Sequence, residues 1–420
     1  MQKSPSMREI FAYFHPLLRD FYYFCPKIIM VETTLYQIMD ELIGLAPKSF
    51  HRYNYNDIDW NGRLTGIVGP RGVGKSTMLF QYIYEHKESG HHLYVSADNA
   101  YFGANTLTSL ADEFVKDGGT HLYIDEVHKY EGWSNELKQI YDTHPELKVT
   151  FTGSSILDIT KGTADLSRRV VMEHLQGLSF REYLELFHSI RAQKYSLDDI
   201  LEHKVTLPEL PHPLPYFRSY LQEGYYPFST EGHFQQRMLQ VVNQTVEVDI
   251  PQFADMKATT ARKLKRMLVI VSGLAPVKPN ADNLAREIGV SKNNVSDYLL
   301  YLEKAGMLGQ LRDDTSGLIS LGKVEKIYVD NPSLMTVLAN GNPDVGNLRE
   351  TFFYNQMRVN NQVTSSRESD FKIGKFTFEV GGKKKGKKQI TDIPNGIVVR
   401  DDIEYGNGII VPLWHFGLNY

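Results

Sequence analysis

At 420 residues, with 42% hydrophobic and 23% charged side chains, the chain has room for roughly two to four domains and the make-up of a globular protein. A formal net charge of −4 excludes whole-molecule electrostatic binding of nucleic acid, and a single cysteine, Cys25, excludes an intrachain disulfide framework or a cysteine-built metal site. Charges interrupt every apolar run before it reaches the roughly 18 residues a membrane helix needs, so no membrane partner is expected and a cytoplasmic setting is.

Residues 1–30 are aromatic and apolar but broken by Arg8, Glu9, Arg19 and Asp20, without the layout of a signal peptide. They read either as an N-terminal extension that packs on the body or a partner, or as sequence upstream of a natural start at Met30. Thr33 or Thr34 then caps a helix with Leu35, Ile38, Met39, Leu42 and Ile43 on one face, ended by Pro47.

An apolar run, Leu64 to Val68, reads as a buried strand. It feeds Gly69-Pro70-Arg71-Gly72-Val73-Gly74-Lys75-Ser76-Thr77, which fits the phosphate-binding pattern G-x-x-x-x-G-K-[ST] at every fixed position, and an apolar helical stretch follows from Met78. The chemistry explains the residue types. The three glycines let the backbone curl closely and aim its N–H groups at phosphate oxygens, and the helix that starts near Lys75 adds its positive end. Lys75 reaches the β- and γ-phosphates of a nucleoside triphosphate, and the Ser76 hydroxyl is a Mg²⁺ ligand.

Further strands are expected at His92–Ala97, His121–Asp125 and Lys148–Thr152 and from Val170, with helices at Leu107–Lys116 and Trp133–Tyr141 between them. Strands alternating with helices imply α/β architecture, a parallel sheet covered by helices on both faces. Asp125-Glu126 ends an apolar strand 50 residues after Lys75. Asp125 is placed to hold Mg²⁺ opposite Ser76, and Glu126 to orient or deprotonate an attacking water. If the Lys148–Thr152 strand lies between the first and third, a hydroxyl at its tip faces the γ-phosphate; Thr152 is the first candidate and Ser154 the second. Arg168 and Arg169 precede the fifth strand and are candidates to stabilise charge on the transferring phosphoryl group, from the same or a neighbouring subunit.

Ser179 and Glu182 have capping-box spacing at the start of a helix running to Ile190. Residues 205–230, rich in proline and aromatics, mark a domain joint. Helices follow over Phe234–Val248 and Met256–Val271. Then comes helix, Gly289, helix, Gly306 and a hairpin around Thr315-Ser316-Gly317, the pattern of a winged helix-turn-helix. Lys292, Asn293, Asn294 and Ser296 are its candidates for a DNA groove. Residues 322–420 read as a separate small α/β domain, with a basic run at Lys383-Lys384-Lys385-Gly386-Lys387-Lys388 that is either a solvated loop or a phosphate-backbone contact.

Gly69-Pro70-Arg71-Gly72-Val73-Gly74-Lys75-Ser76, Tyr123-Ile124-Asp125-Glu126, Thr152-Gly153-Ser154-Ser155, Ser167-Arg168-Arg169 and Phe378-Glu379-Val380-Gly381-Gly382-Lys383 together resemble prokaryotic AAA-type P-loop ATPases with a winged helix and a C-terminal domain of unknown function. The resemblance implies an AAA-type domain over 31–190, a helical lid or linker over 191–255, the winged helix over 256–321 and a restriction-endonuclease-like domain over 322–420. It implies ATP and Mg²⁺ as ligands, a nucleotide-driven switch or remodeller, a DNA or protein partner and a homo-oligomer. The alternative is a non-catalytic nucleotide-gated binding module. Nuclease chemistry in the tail would fall to Glu350, Asp370, Glu379 and Lys383, but Lys383 stands two residues beyond the E-x-K spacing, roughly 6–7 Å further along a strand.

Overall fold

The computed structural model describes residues 33–154, 166, 168–314, 322–386 and 390–420. The extension over 1–30 lies outside them. Helix α1 covers 33–45, and no helix of the described residues is long and apolar enough to cross a membrane.

Strand β1 (Leu64–Gly69) is buried along its whole length. It lies in a five-stranded parallel sheet with β2 (His92–Ser96), β3 (His121–Asp125), β4 (Lys148–Ser154) and β5 (Val171–His174), in the order β2-β3-β4-β1-β5. Side chains alternate between the two faces. Ile67, Tyr94 and Tyr123 meet Met78, Leu79 and Ile83 of α2 (Lys75–His86). On the other face Val95, Ile124, Val149 and Phe151 meet α3 (Leu107–Lys116) and α4 (Trp133–Thr143). Helices on both faces, and β4 between β1 and β3, agree with the sequence reading.

After β5, α5 (Phe180–His188) starts on Ser179, whose hydroxyl accepts from the Glu182 N–H while the Glu182 side chain accepts from the Ser179 N–H, the expected capping box. The first part of the segment expected as a helical lid or linker contributes to a core. Tyr195, Ile200, Phe217 and Tyr220 pack with Phe352, Phe353 and Phe416 of the C-terminal domain. Helix α6 (Phe234–Gln244) runs through a π turn, Thr245–Asp249, towards α7 (Ala258–Leu274).

Helices α8 (Ala281–Ile288) and α9 (Lys292–Lys304) are joined at Gly289, whose φ of +70° suits glycine at a helix end. The antiparallel pair β6 (Leu308–Arg312) and β7 (Val324–Val329) follows; the Thr315-Ser316-Gly317 turn lies outside the described residues. This pair corrects the boundary drawn after residue 321, because β7 belongs with β6. Beyond it are α10 (Pro332–Leu338), α11 (Val345–Met357) and a mixed sheet in the order β12-β11-β10-β9-β8, made of β8 (Val363–Ser365), β9 (Phe371–Ile373), β10 (Phe376–Gly381), β11 (Gly396–Arg400) and β12 (Ile410–Pro412). Strands β9 and β10 form a hairpin that turns at Gly374 with φ +56°.

Candidate functional site

The phosphate loop leaves β1 at Gly69 and enters α2 at Lys75. Gly72 and Gly74 have φ of +78° and +97°, a region that side chains with a Cβ avoid. At Gly72 a Cβ would also come within 2.5 Å of the Phe228 ring, which sits against the loop. Lys75 is buried, and its Nζ donates to the carbonyls of Gly69 and Pro70, both at 2.9 Å, so the loop wraps the ammonium. Burial lowers the Lys75 pKa, against the opposing charges of Glu126 and Asp125.

Those two acids stand at the tip of β3. Asp125 is buried; its Oδ2 accepts from the Tyr94 hydroxyl at 2.9 Å and its Oδ1 from the Thr152 hydroxyl and, at 3.1 Å, from the Glu126 N–H. Thr152 is brought there because β4 lies beside β3. Its hydroxyl is therefore committed to Asp125. Ser154, two residues on and on the same face, pairs with Gly69 across the β1–β4 ladder at the mouth of the loop. Glu126 has φ +52°, an uncommon conformation for a residue with a Cβ and one that clusters at functional sites. Its Oε2 lies 3.5 Å from Arg71 Nη2 and 3.3 Å from His128 Nε2.

Arg71, Gly72, Gly74, Lys75, Ser76, Thr77 and Glu126 line one cleft of ≈ 790 Å³, whose remaining lining mixes apolar Pro47, Phe50, Phe187 and Phe228 with polar Arg52, Gln81, Thr230 and Glu231. This suits a ligand with a charged tail and a flat apolar head. Pro70 and Val73 complete the loop; Pro70 packs under Gly306 and the Val73 carbonyl accepts from Arg52. Among the described residues no group of three or more His, Cys, Asp or Glu could hold a metal alone. A cation here would rest on Ser76, Asp125 and the ligand's own oxygens, a hard-oxygen set that fits Mg²⁺.

The two arginines ahead of β5 are not brought to this cleft. Arg169 donates from Nε and Nη2 to the Asp142 carboxylate, both at 3.0 Å. Because Val171 pairs with Thr65 and His174 with Val68, Arg169 lies at the start of β1, about 20 Å of strand from the loop. Arg168 is exposed beside it. Stabilisation within one subunit is thereby corrected; only a neighbouring copy could use them.

In the C-terminal domain Glu350 and Asp370 share Lys326 Nζ at 3.3 Å each, and Glu379 pairs with Lys385 rather than with Lys383, which is exposed. The Lys385 stem passes within 2.9 Å of where a Cβ on Gly381 would be. All three carboxylates are therefore partnered.

Two site residues escaped the sequence reading. Arg52 reaches the loop from the segment after α1, and Asp249 reaches Arg71 from the π turn before α7. Neither sits in a local motif; only the capping-box role of its partner Glu182 could have hinted at Arg52.

Residues 61–184 match the family model described as an AAA domain, and residues 214–344 match that of a domain of unknown function, DUF8612. No curated protein matches the chain. Among solved structures, the Orc1 protein of Aeropyrum pernix in complex with DNA aligns at 10% identity over 74% of this chain and 92% of that one, with a TM-score of 0.30. AMPPCP-bound DnaA from Aquifex aeolicus aligns at 15% identity over 64% and 86%, with a TM-score of 0.24, and PCH-2 of C. elegans at 16% over 36% and 44%, with a TM-score of 0.22. With the glycine loop on β1, the acidic pair on β3 and β4 between them, residues 61–184 are an AAA-type P-loop domain, and the chain joins to it a domain of unknown function over 214–344.

Proposed function

We propose that this chain binds ATP with Mg²⁺ in the loop cleft and hydrolyses it to ADP and phosphate, with the lid and the α8–α9 unit carrying the output. The observation that carries the reading is that Lys75 and Glu126 line one cleft, with Asp125 beside Glu126 at the tip of β3 and accepting from its N–H. The loop amides and Lys75 neutralise phosphate charge, and Glu126 at the cleft wall takes or orients the proton of an attacking water. Asp125, oriented by Tyr94 and Thr152, and Ser76 would hold the cation, which supplies charge neutralisation at the transferring group when bound. Exposed Arg168 would act on a neighbour's nucleotide in a homo-oligomer; sedimentation with and without ATP tests that assembly.

Nucleotide binding and turnover of the Lys75→Ala and Glu126→Gln variants test the core of this reading. The first loses binding. The second keeps binding and loses turnover by about 10²–10⁴-fold. Unchanged turnover in either overturns its role.

A second reading, nucleotide-gated contact with DNA or protein, is favoured by one feature: Lys292, Asn293, Asn294 and Ser296 all lie on the exposed face of α9, and Lys383 and Lys384 are exposed in the basic run. DNA binding that weakens with salt and survives Lys75→Ala would support it.

A further inference from the structure

Arg71 holds a variable position of the phosphate loop, yet its strongest partner belongs to the lid. Its Nε donates to Oδ2 of Asp249 at 2.6 Å and its Nη2 to Oδ1 at 3.1 Å. The same Nη2 is the atom 3.5 Å from Glu126. Asp249 is only 4% exposed and also takes Lys129 Nζ at 3.3 Å and Gln244 Nε2 at 3.4 Å. It ends the π turn Thr245–Asp249; Val246, three residues before it, and Ile250, the residue after it, are buried in one core with Leu264, Met267 and Leu268 of α7 and Leu284 of α8. Moving Asp249 therefore means moving that whole body.

One guanidinium thus stands between three anionic claims: the catalytic candidate Glu126, the lid's Asp249, and any terminal phosphate held by the loop that carries Arg71. Its charge cannot be titrated away, and its planar fork fits carboxylate and phosphate alike. Asp249 is near enough to add to the field at Lys75, so it also repels phosphate charge in the cleft. A terminal phosphate and Asp249 compete for the same cation.

We propose that Arg71 and Asp249 make this cleft distinguish a nucleoside triphosphate from a diphosphate and turn that distinction into release of the lid. Without a terminal phosphate Arg71 grips Asp249 and the lid is latched. With one, Arg71 turns to the phosphate and the latch opens. The inference rests on the nucleotide reading given above. Coupling between two sites is reciprocal, so the factor by which a triphosphate loosens the latch is the factor by which losing the latch tightens triphosphate binding.

The test uses the full chain with Mg²⁺, a non-hydrolysable ATP analogue and ADP, on wild type, Asp249→Asn and Arg71→Gln. Affinities are read together with amide hydrogen exchange over residues 234–274. Asp249→Asn is expected to raise the triphosphate-to-diphosphate affinity ratio about tenfold, and Arg71→Gln to drop it below wild type. In wild type the analogue, but not ADP, speeds exchange over 234–253; in Arg71→Gln neither does. Arg71 is 24% exposed, so its variant keeps the test standing if Asp249→Asn folds poorly. A ratio in both variants within twofold of wild type, or lid exchange blind to the terminal phosphate, overturns the inference while leaving the nucleotide reading intact. Wild type that binds neither nucleotide overturns both.

Discussion

Arg52 and Glu182, 130 residues apart in the chain, meet in the interior with Nε 2.9 Å from Oε1. The other Arg52 donors go to the carbonyls of Val73, Gln176 at 2.7 Å and Gly177 at 2.9 Å. Glu182 in turn accepts from the N–H groups of Tyr53 at 2.7 Å and Ser179 at 3.0 Å. Burial works to lower the Arg52 pKa, but Glu182 reverses this and leaves it raised. The pair ties the back of the phosphate loop to the start of α5. Breaking a buried pair strands the surviving charge, so Arg52→Ala is expected to cost about 3–5 kcal/mol in urea denaturation. Arg52→Lys recovers little, because an ammonium cannot span four acceptors in one plane.

Thr152 makes a sharper test of the site. Replacing it by valine keeps the shape and removes the donor to Asp125. The Tyr94 hydroxyl still holds Oδ2. Loss of one buried hydrogen bond should cost about 1–3 kcal/mol of stability. If Thr152 works by aiming Asp125, ATP turnover of Thr152→Val falls while ATP affinity changes little, and Tyr94→Phe behaves the same way. Stopped turnover with a parallel loss of affinity in Thr152→Val alone would mean that the hydroxyl meets the nucleotide directly.

What could be read from the chain, and what could not, divides by range. The loop from Gly69 to Ser76 is a contiguous pattern between a strand and a helix, so its conformation follows from nearby residues. Asp125 and Glu126 were legible because a strand tip fixes their place. Arg52 and Asp249 were not, because their roles come from partners 130 and 178 residues away and nothing local marks them. Whether the arginines before β5 serve their own subunit or a neighbour was not legible, because proximity in sequence to a site strand says nothing about which end of it they occupy. Residues 205–230 read as a domain joint because their prolines and aromatics signal turns; what no local pattern showed is that two of those aromatics, Phe217 and Tyr220, pack in one core with the C-terminal residues Phe352 and Phe416.

His121 stacks on His92 with ring centroids 4.6 Å apart and planes 14° from parallel. Burial first, then the nearby His92 and Lys148, push the His121 pKa down from 6.5 to about 4. The folded state therefore holds it neutral where the unfolded chain protonates it. Its contribution to stability is complete above pH 6.5 and is lost progressively as pH falls towards about 4. Urea midpoints between pH 7.5 and 4.5 should decline in wild type. The decline should shrink in His121→Phe, which keeps a ring in the stack and removes the titration.

Lys326 holds two carboxylates that would otherwise repel each other, Glu350 and Asp370. Burial first, and then the charge of a neighbouring carboxylate, keeps both above the usual carboxylate range even with the lysine present. Groups raised in this way bind protons more readily folded than unfolded, so stability falls as pH rises through their titration. Lys326→Met removes the one charge that opposes the rise and should extend that fall to higher pH. Its urea midpoint should fall further below wild type as pH rises and approach wild type as pH falls and one carboxyl takes up a proton and can donate to the other. A deficit of the same size at every pH would mean that the lysine acts through its methylene stem and not through its charge.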